Sequence, residues 1–514
     1  MVSELTTGDA VLLAGVDLGT TNIKAILFDR QGHIVRQASL PTPTHFPRPG
    51  WAHFDPEELW QQTARALRQV TQAVDDPSRI AGIAVASFGE TVVPLDREGQ
   101  PTYQAIAWFD KRTEAQSRWL TEQLGDDRLF QITGLAPLPM FSICKMLWIK
   151  EHEPQAFRRT ALWLLGADYI AYRLSGVPAT DYSLASRTMA LDLHHLRWSQ
   201  EILEAAGIPG DVLAPLLPSG TALGPVTPEA SAATGLPTSV QVATGGHDHV
   251  VGAYAVGVHR PGTLLNSLGT AEALFLPLDR PLTDPNVGRQ GYTQGAHVAG
   301  RFYVFGGQYT SGGSVEWFRK ALGEGADYAT LVQEAEEAPP GSLGVQFLPH
   351  LRQASPPHVD VRTRGAFIGL STDVTRGVLF RAVLEGLAFE TRSTLEPQYV
   401  YAGIQRPDRI VAIGGGTRNP LLMAIKATVL DQAITIIGVE EATALGAAVL
   451  GGVGAGVYPD REAAVQELRL SQSQVAPIQE WATRYDVLYR EVYRHIYDAL
   501  RPLHHRLHAL LQGH

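Results

Sequence analysis

One cysteine in 514 residues, Cys144, leaves no partner for an internal disulfide. A disulfide framework is excluded, and a reducing compartment, the cytoplasm, is the expected location. Basic residues are outnumbered: 42 Lys and Arg face 52 Asp and Glu, a formal net charge of −10. That balance argues against a nucleic-acid partner and against an anionic membrane surface. The opening stretch MVSELTTGDA carries Glu4 and Asp9 in place of a basic segment and does not read as a secretory signal. Apolar runs stay below membrane-spanning length. The nearest, ALGAAVLGGVGAGVY (444–458), is short and glycine-rich. No G-x-x-x-x-G-K-[ST] occurs, which excludes a P-loop.

What is present is glycine and proline, 50 and 33 residues, the turn content of an α/β enzyme with substantial loops. The length exceeds one hydrophobic core and predicts two or three domains. VLLAGVDL, IKAILFD and the residues after RQGHI predict consecutive antiparallel strands, with a turn at Asp29–Gly32. FDPEELWQQTARALRQV predicts a helix with Asp55 as N-cap, Pro56 at N1 and Glu58 completing a capping box. IAGIAVAS (80–87) reads as a buried strand. The second half alternates similarly. GTLLNSLGT, AEALFLPL, RFYVFGG and RIVAIGGG read as strands, and DVTRGVLFRAVLEGLAFETRSTL as a long helix. NPLLMAIKATVL reads as a helix capped by Asn419. A boundary is expected near 258–262, and residues 478–511 as a closing helix.

Leu-Gly-Thr is written twice, at 18–20 and at 268–270, each after a strand-like run. A turn of this kind gathers backbone N–H groups and hydroxyls into a nest for phosphate oxygens. Gly19 and Gly269 let a ligand approach the backbone. Asp17 before the first turn suits Mg²⁺, and Lys24 would add positive charge. A solvated hairpin turn is the plain alternative, and the duplication counts against it. Gly414–Gly416 followed by Asn419 forms a strand-to-helix turn fit for a nucleotide.

ATGGHDHVVGAY (243–254) sets Asp248 at the mouth of an apolar helix. His247 and His249, two apart, suit one metal ion poorly. Asp248 reads either as a helix cap or as a general base near a domain boundary. Glu90 stands at another strand end, and Trp108 and Arg112 offer an aromatic wall and a cation.

Together these stretches resemble the FGGY family of carbohydrate kinases, over nearly the whole chain. GVDLGTTNIKAILFD and NSLGTAEA are similar to its two phosphate motifs, and GGHDH to its catalytic-aspartate segment. ADYIAYRLSG with TDYSLASRTMALDL is similar to its mid-domain segment. FRAVLEGLAFETR and IVAIGGGTRNPLLMAIKATVLDQAI are similar to its adenosine region. The resemblance implies an α/β fold of two ribonuclease-H-like (actin-like) domains with an ATP and sugar cleft between them. The implied division is a sugar-binding domain over 1–260, a nucleotide-binding domain over 261–475 and a helical tail over 476–514. It implies Asp248 as the base, Asp17 with Mg²⁺, and nucleotide contacts at Thr20, Thr21, Lys24, Gly269, Thr270, Gly312, Glu316, Gly415 and Asn419. Glu90 and Trp108 fall on substrate-facing positions. Gly89, Met140 and His249 stand where glycerol kinases carry Arg, Tyr and Gln. These departures argue against glycerol and leave room for a longer substrate. A ketose, a pentulose such as xylulose or a hexulose, is the expected acceptor, with a polyol or sugar acid as alternatives. A non-kinase actin-like ATPase is the reading from another class. ATP and a sugar are the expected ligands, and the resemblance leaves monomer or homodimer open.

Overall fold

The computed structural model describes residues 11–512, so the acidic opening stretch and the last two residues lie outside it. Leu12–Leu18 (β1) and Asn22–Asp29 (β2) form the expected hairpin, and Ile34–Pro41 (β3) continues it antiparallel. Gly32 closes the β2–β3 turn with φ near 90°, a conformation that favours glycine. On its other side β1 pairs in parallel with Ile80–Ser87 (β4). Ala222–Pro225 (β5) then forms the edge, antiparallel to Gln241–His247 (β6), which lies parallel to β4. The six-stranded order is β5-β6-β4-β1-β2-β3.

The second half builds Thr263–Leu268 (β7), Glu272–Leu278 (β8), Thr293–His297 (β9) and Arg301–Gln308 (β10). Arg409–Ile413 (β11), Ile434–Gly438 (β12) and Ser471–Val475 (β13) complete a seven-stranded sheet, β9-β10-β8-β7-β11-β12-β13. Read from β3, the first sheet runs 3-2-1-4-6-5; read from β10, the second runs 10-8-7-11-12-13. Parallel and antiparallel pairings coincide at every step. The fold is therefore written twice, and the two Leu-Gly-Thr turns end equivalent strands, β1 and β7. Two differences remain. The second sheet carries an added strand, β9, beyond β10. The edge strand precedes its inner neighbour in the first sheet and follows it in the second.

Six helices matter for the site: Pro56–Gln72 (α1), Asp248–Ala255 (α2), Gly312–Ala321 (α3), Arg376–Ala402 (α4), Pro420–Val429 (α5) and Ala442–Gly454 (α6). Asp55 caps α1 by accepting from the amides of Glu57 and Glu58. Glu58 does not complete a box; its carboxylate reaches His45 at 2.6 Å. Asn419 caps α5 through the amide of Leu422.

The glycine-rich stretch 444–458 begins with most of α6, which lies between the two sheets. It packs on β1, β4 and β6 and crosses α2. A Cβ on Gly15 would stand 1.8 Å from Ala444 O, and one on Gly446 2.3 Å from Val251 O. The glycines allow backbone to meet backbone, so α2 and α6 fill a layer too thin for larger residues. A hydrophobic cluster of Leu13, Ala84, Val250, Leu265, Val411 and Ala447 fixes this layer to both sheets. The tail is not one closing helix. A π-helical turn at Tyr489–Tyr493 interrupts it. Tyr485, Tyr489, Tyr493 and Ile496 are buried, whereas Leu503, Leu507 and Leu510 are exposed, because no facing element extends that far. Among the described residues no helix is long and apolar enough to cross a membrane.

Candidate active site

The end of β6 and the start of α2 set His247 and Asp248 at the carboxyl ends of the strands, where an α/β sheet opens a crevice. A cavity of about 300 Å³ lies there. From the first half, Thr20, Gly89, Glu90, Trp108, Met140, Asp248 and His249 line it. Thr293, Tyr303 and Phe305 of the second half close it. Seven residues predicted from sequence thus meet in one hollow.

Glu90 is buried and holds φ near 64°, unusual for a non-glycine residue. Its carboxylate Oε1 accepts from Arg187 Nε at 2.7 Å, and Arg187 Nη1 donates to Thr293 Oγ1 at 3.1 Å. The sequence alone does not single out Arg187 as a site residue. A Cβ on Gly89 would lie 2.8 Å from Arg187 Cγ, so the glycine leaves the space that the arginine fills. Arg112, by contrast, is spent outside the cavity. It bonds Asp110 at 2.7 Å and lies 3.8 Å over the Trp51 ring.

Asp248 is half-buried. The N-cap position of α2 belongs to His247, which makes no side-chain cap bond, and Asp248 Oδ1 accepts from His249 N at 2.6 Å. His247 Nε2 lies 3.3 Å from Asp248 Oδ1. Burial drives the His247 imidazole down to about 4, so it is neutral at ordinary pH. Asp17, at the end of β1, is pushed up to about 7 by burial and then by the negative charge of Asp248. The two carboxylates therefore share one field. Asp248 and His249 also line a second, smaller cavity of about 70 Å³ with Ser267, Ala273 and Thr443. Asp248 stands on the wall between the two hollows.

The second turn is built into a backbone cradle. Gly312 N donates to Gly269 O at 3.1 Å, and Gly313 N to Thr270 O at 3.0 Å. A Cβ on Gly414 would meet Leu268 O at 2.6 Å, so the Gly414–Gly416 turn rests on the end of β7. Gly415 is exposed above it, with open space around its Cα. Asn419 Nδ2 donates to Tyr328 Oη at 2.7 Å. Gly269, Thr270, Gly312, Gly415 and Asn419 therefore converge on one region. Thr21 is exposed beside the first turn, and its carbonyl accepts from Thr42 N.

Two of the expected nucleotide contacts carry ion pairs in this structure. Lys24 does not offer a free charge to the first turn: its ammonium bonds both oxygens of Glu441 at 2.9 and 2.7 Å, at the head of α6. Glu316 is exposed on α3 and held by Arg319 and Lys320 at 2.8 and 3.1 Å. Helical spacing places both partners on its own face, which spends its acceptors.

The model of the FGGY family of carbohydrate kinases, N-terminal domain, matches residues 12–255, and that of the C-terminal domain matches residues 264–455. A xylulose kinase of Bacillus subtilis is 31% identical over 94% of this chain and 97% of its own. A glycerol kinase of Acaryochloris marina is 32% identical over 90% and 93%. The crystal structure of a xylulose kinase from Rhodospirillum rubrum superposes with a TM-score of 0.87 at 30% identity, covering 96% of this chain and 100% of that one. With the duplicated sheet, the paired turns and this match along both halves, the chain belongs to the FGGY family of carbohydrate kinases.

Proposed function

We propose that the protein transfers the γ-phosphoryl group of ATP to a hydroxyl of a neutral ketose, a pentulose such as xylulose. Residues 1–260 carry the sugar side and 261–475 the nucleotide side. The observation that carries the reading is the place of Asp248, on the wall between the larger cavity and the smaller one under β7. A sugar in the larger cavity presents its hydroxyl to Asp248, and phosphate oxygens rest on the turns at Thr20–Thr21 and Gly269–Thr270. Asp248 Oδ accepts the hydroxyl proton as the oxygen attacks in line. Positioning supplies most of the rate, and closure of the halves excludes water.

Glu90 and Arg187 present a charge-neutral pair to the sugar hydroxyls. Trp108, Met140 and the ring of His249 cover the carbon chain, with Gly89 leaving room for Arg187. Gly312, Gly415 and Asn419 shape the nucleotide seat. Asp17 would hold Mg²⁺. Burial, and after it the charge of Asp248, keeps its carboxyl high; a cation offsets both, and one carboxylate plus phosphate oxygens is an ordinary donor set for this ion. When bound, the ion offsets charge on the phosphoryl group.

A sugar acid fits less well. Arg187 is the one cation lining the cavity among the described residues, and Glu90 already neutralises it. ADP release measured against ketoses, polyols and sugar acids tests the assignment. A pentulose is expected to give the highest kcat/KM; a sugar acid or glycerol in that place overturns it.

A further inference from the structure

Beneath the sugar cavity lies an ammonium group that the proposed reaction does not use. Lys145 is fully buried, at 0% exposure. Its Nζ donates to the carbonyl of Glu90 at 3.0 Å and to the carbonyl of Met140. Both acceptors belong to cavity-lining residues on separate segments of the chain. Ser142 Oγ donates to the same Glu90 carbonyl at 2.9 Å. Glu90 is also the residue held in the left-handed region, a conformation that persists only where its surroundings impose it.

We infer that Lys145 is a positioning residue for the sugar site: its buried cation pins the Glu90 and Met140 carbonyls and so aims the Glu90 carboxylate and the Met140 side chain at the substrate. The inference rests on the reading of the larger cavity as the sugar site. A structural pin alone would need no charge, since a hydroxyl such as that of Ser142 satisfies a carbonyl at lower desolvation cost. The cation instead draws two carbonyl dipoles from two segments onto one point, which fixes their separation across the cavity floor.

The same pin makes the site sensitive to alkali. Burial pushes the Lys145 ammonium down to about 8, with Glu90 acting in the opposite sense. The charged and titratable groups around it are Glu90, Cys144, Asp110 and Arg112. The Cys144 thiol is pushed up to about 12 by burial, so it stays uncharged near pH 8, and Asp110 is bonded to Arg112 at 2.7 Å. Above that pH Lys145 becomes neutral and holds its carbonyls less strongly.

The test is Lys145→Met, which keeps length and removes charge. Sugar affinity is read both as KM and, without ATP, as the dissociation constant from calorimetry. Both are expected to weaken about 10- to 100-fold, as for a lost charged hydrogen-bond donor, with KM for ATP unchanged. In the wild type, sugar affinity should fall above pH 8, and in Lys145→Met this alkaline limb should vanish. Ser142→Ala, a milder cut at the same carbonyl, is expected to weaken sugar binding in the same direction and keeps the test open if Lys145→Met does not fold. Unchanged sugar affinity in folded Lys145→Met, equal losses for sugar and ATP, or an alkaline limb that survives the substitution overturns the inference. If Lys145→Met does not fold, unchanged sugar affinity in Ser142→Ala overturns it as well. A wild type that binds a ketose but transfers no phosphate overturns the proposed function and leaves this test readable, because the calorimetric constant needs no turnover.

Discussion

Trp108 Nε1 donates to Thr20 Oγ1 at 2.9 Å, so an aromatic wall of the larger cavity is bonded to the first Leu-Gly-Thr turn. The proposed sugar and phosphate subsites therefore share a hydrogen bond. Trp108→Phe keeps the wall and frees the threonine; Thr20→Val removes the acceptor. Each is expected to lower kcat/KM for the sugar by roughly fivefold, the scale of one neutral hydrogen bond. The double variant should lose little more than either single one, because the two share one interaction. Initial rates on the four proteins measure this, and fully additive losses would mean that the bond carries no coupling.

Asp248 is expected to behave as the base and not as a cap. The N-cap of α2 is His247, which makes no side-chain cap bond, and the bond from His249 N to Asp248 Oδ1 is one that an asparagine oxygen can also accept. Asp248→Asn should cut turnover by about 10²- to 10⁴-fold. Its melting temperature should hold or rise, since Asp17, lifted first by burial, loses the added repulsion of the Asp248 charge. ATP affinity should stay near normal, because Gly269, Thr270, Gly312 and Asn419 are untouched. Near-normal turnover in soluble Asp248→Asn would remove the catalytic assignment.

Glu90 is expected to carry both specificity and stability. Its side chain and that of Arg187 are 5% and 8% exposed, so Glu90→Ala strands a buried guanidinium. Breaking such a pair from one side costs about 3–5 kcal/mol, enough to lower the melting temperature clearly. The double variant Glu90→Gln with Arg187→Met should recover much of that stability, yet should still bind the sugar poorly. Differential scanning calorimetry beside sugar titration separates the two effects. Recovery of sugar binding in the double variant would show that the pair serves packing alone.

These residues also mark where sequence reading reaches and where it stops. The paired turns, the Asp55 and Asn419 caps and the strand-to-helix step at Asp248 are local, so side-chain type and spacing within a few residues encode them. Arg187 pairs with Glu90 across 97 residues and Lys24 with Glu441 across 417. Nothing local distinguishes a charge that will face a ligand from one whose partner arrives with a distant helix. That is why Lys24 reads as a free cation in the sequence and Arg187 as an ordinary one. The stretch 444–458 is a related case. Its small residues read as weak hydrophobicity, and their purpose appears only when two sheets close on them.

The last expectation concerns acid. His297 on β9 is 2% exposed; its Nε2 bonds Val258 O at 3.1 Å, and its Nδ1 accepts from Ala299 N at 3.0 Å. With Nδ1 an acceptor, the ring is the neutral tautomer, and burial drives its pKa down to about 3 from an ordinary 6.5. The native protein thus refuses a proton that the unfolded chain takes up. Unfolding gains a proton between about pH 6.5 and 3, so stability from this residue is complete above 6.5 and declines as the pH falls. His247, held near 4 by burial, acts in the same sense over a narrower window. Each group contributes a slope of up to about 1.4 kcal/mol per pH unit where it is protonated only when unfolded. His297→Gln should be less stable at pH 8 by about 1 kcal/mol for each hydrogen bond lost. Below pH 6 its stability should fall less steeply than the wild type's by up to one proton's worth. Urea unfolding at pH 8, 6.5, 5.5 and 4.5 measures the slopes. Parallel slopes in the two proteins would mean that His297 takes no part in acid unfolding.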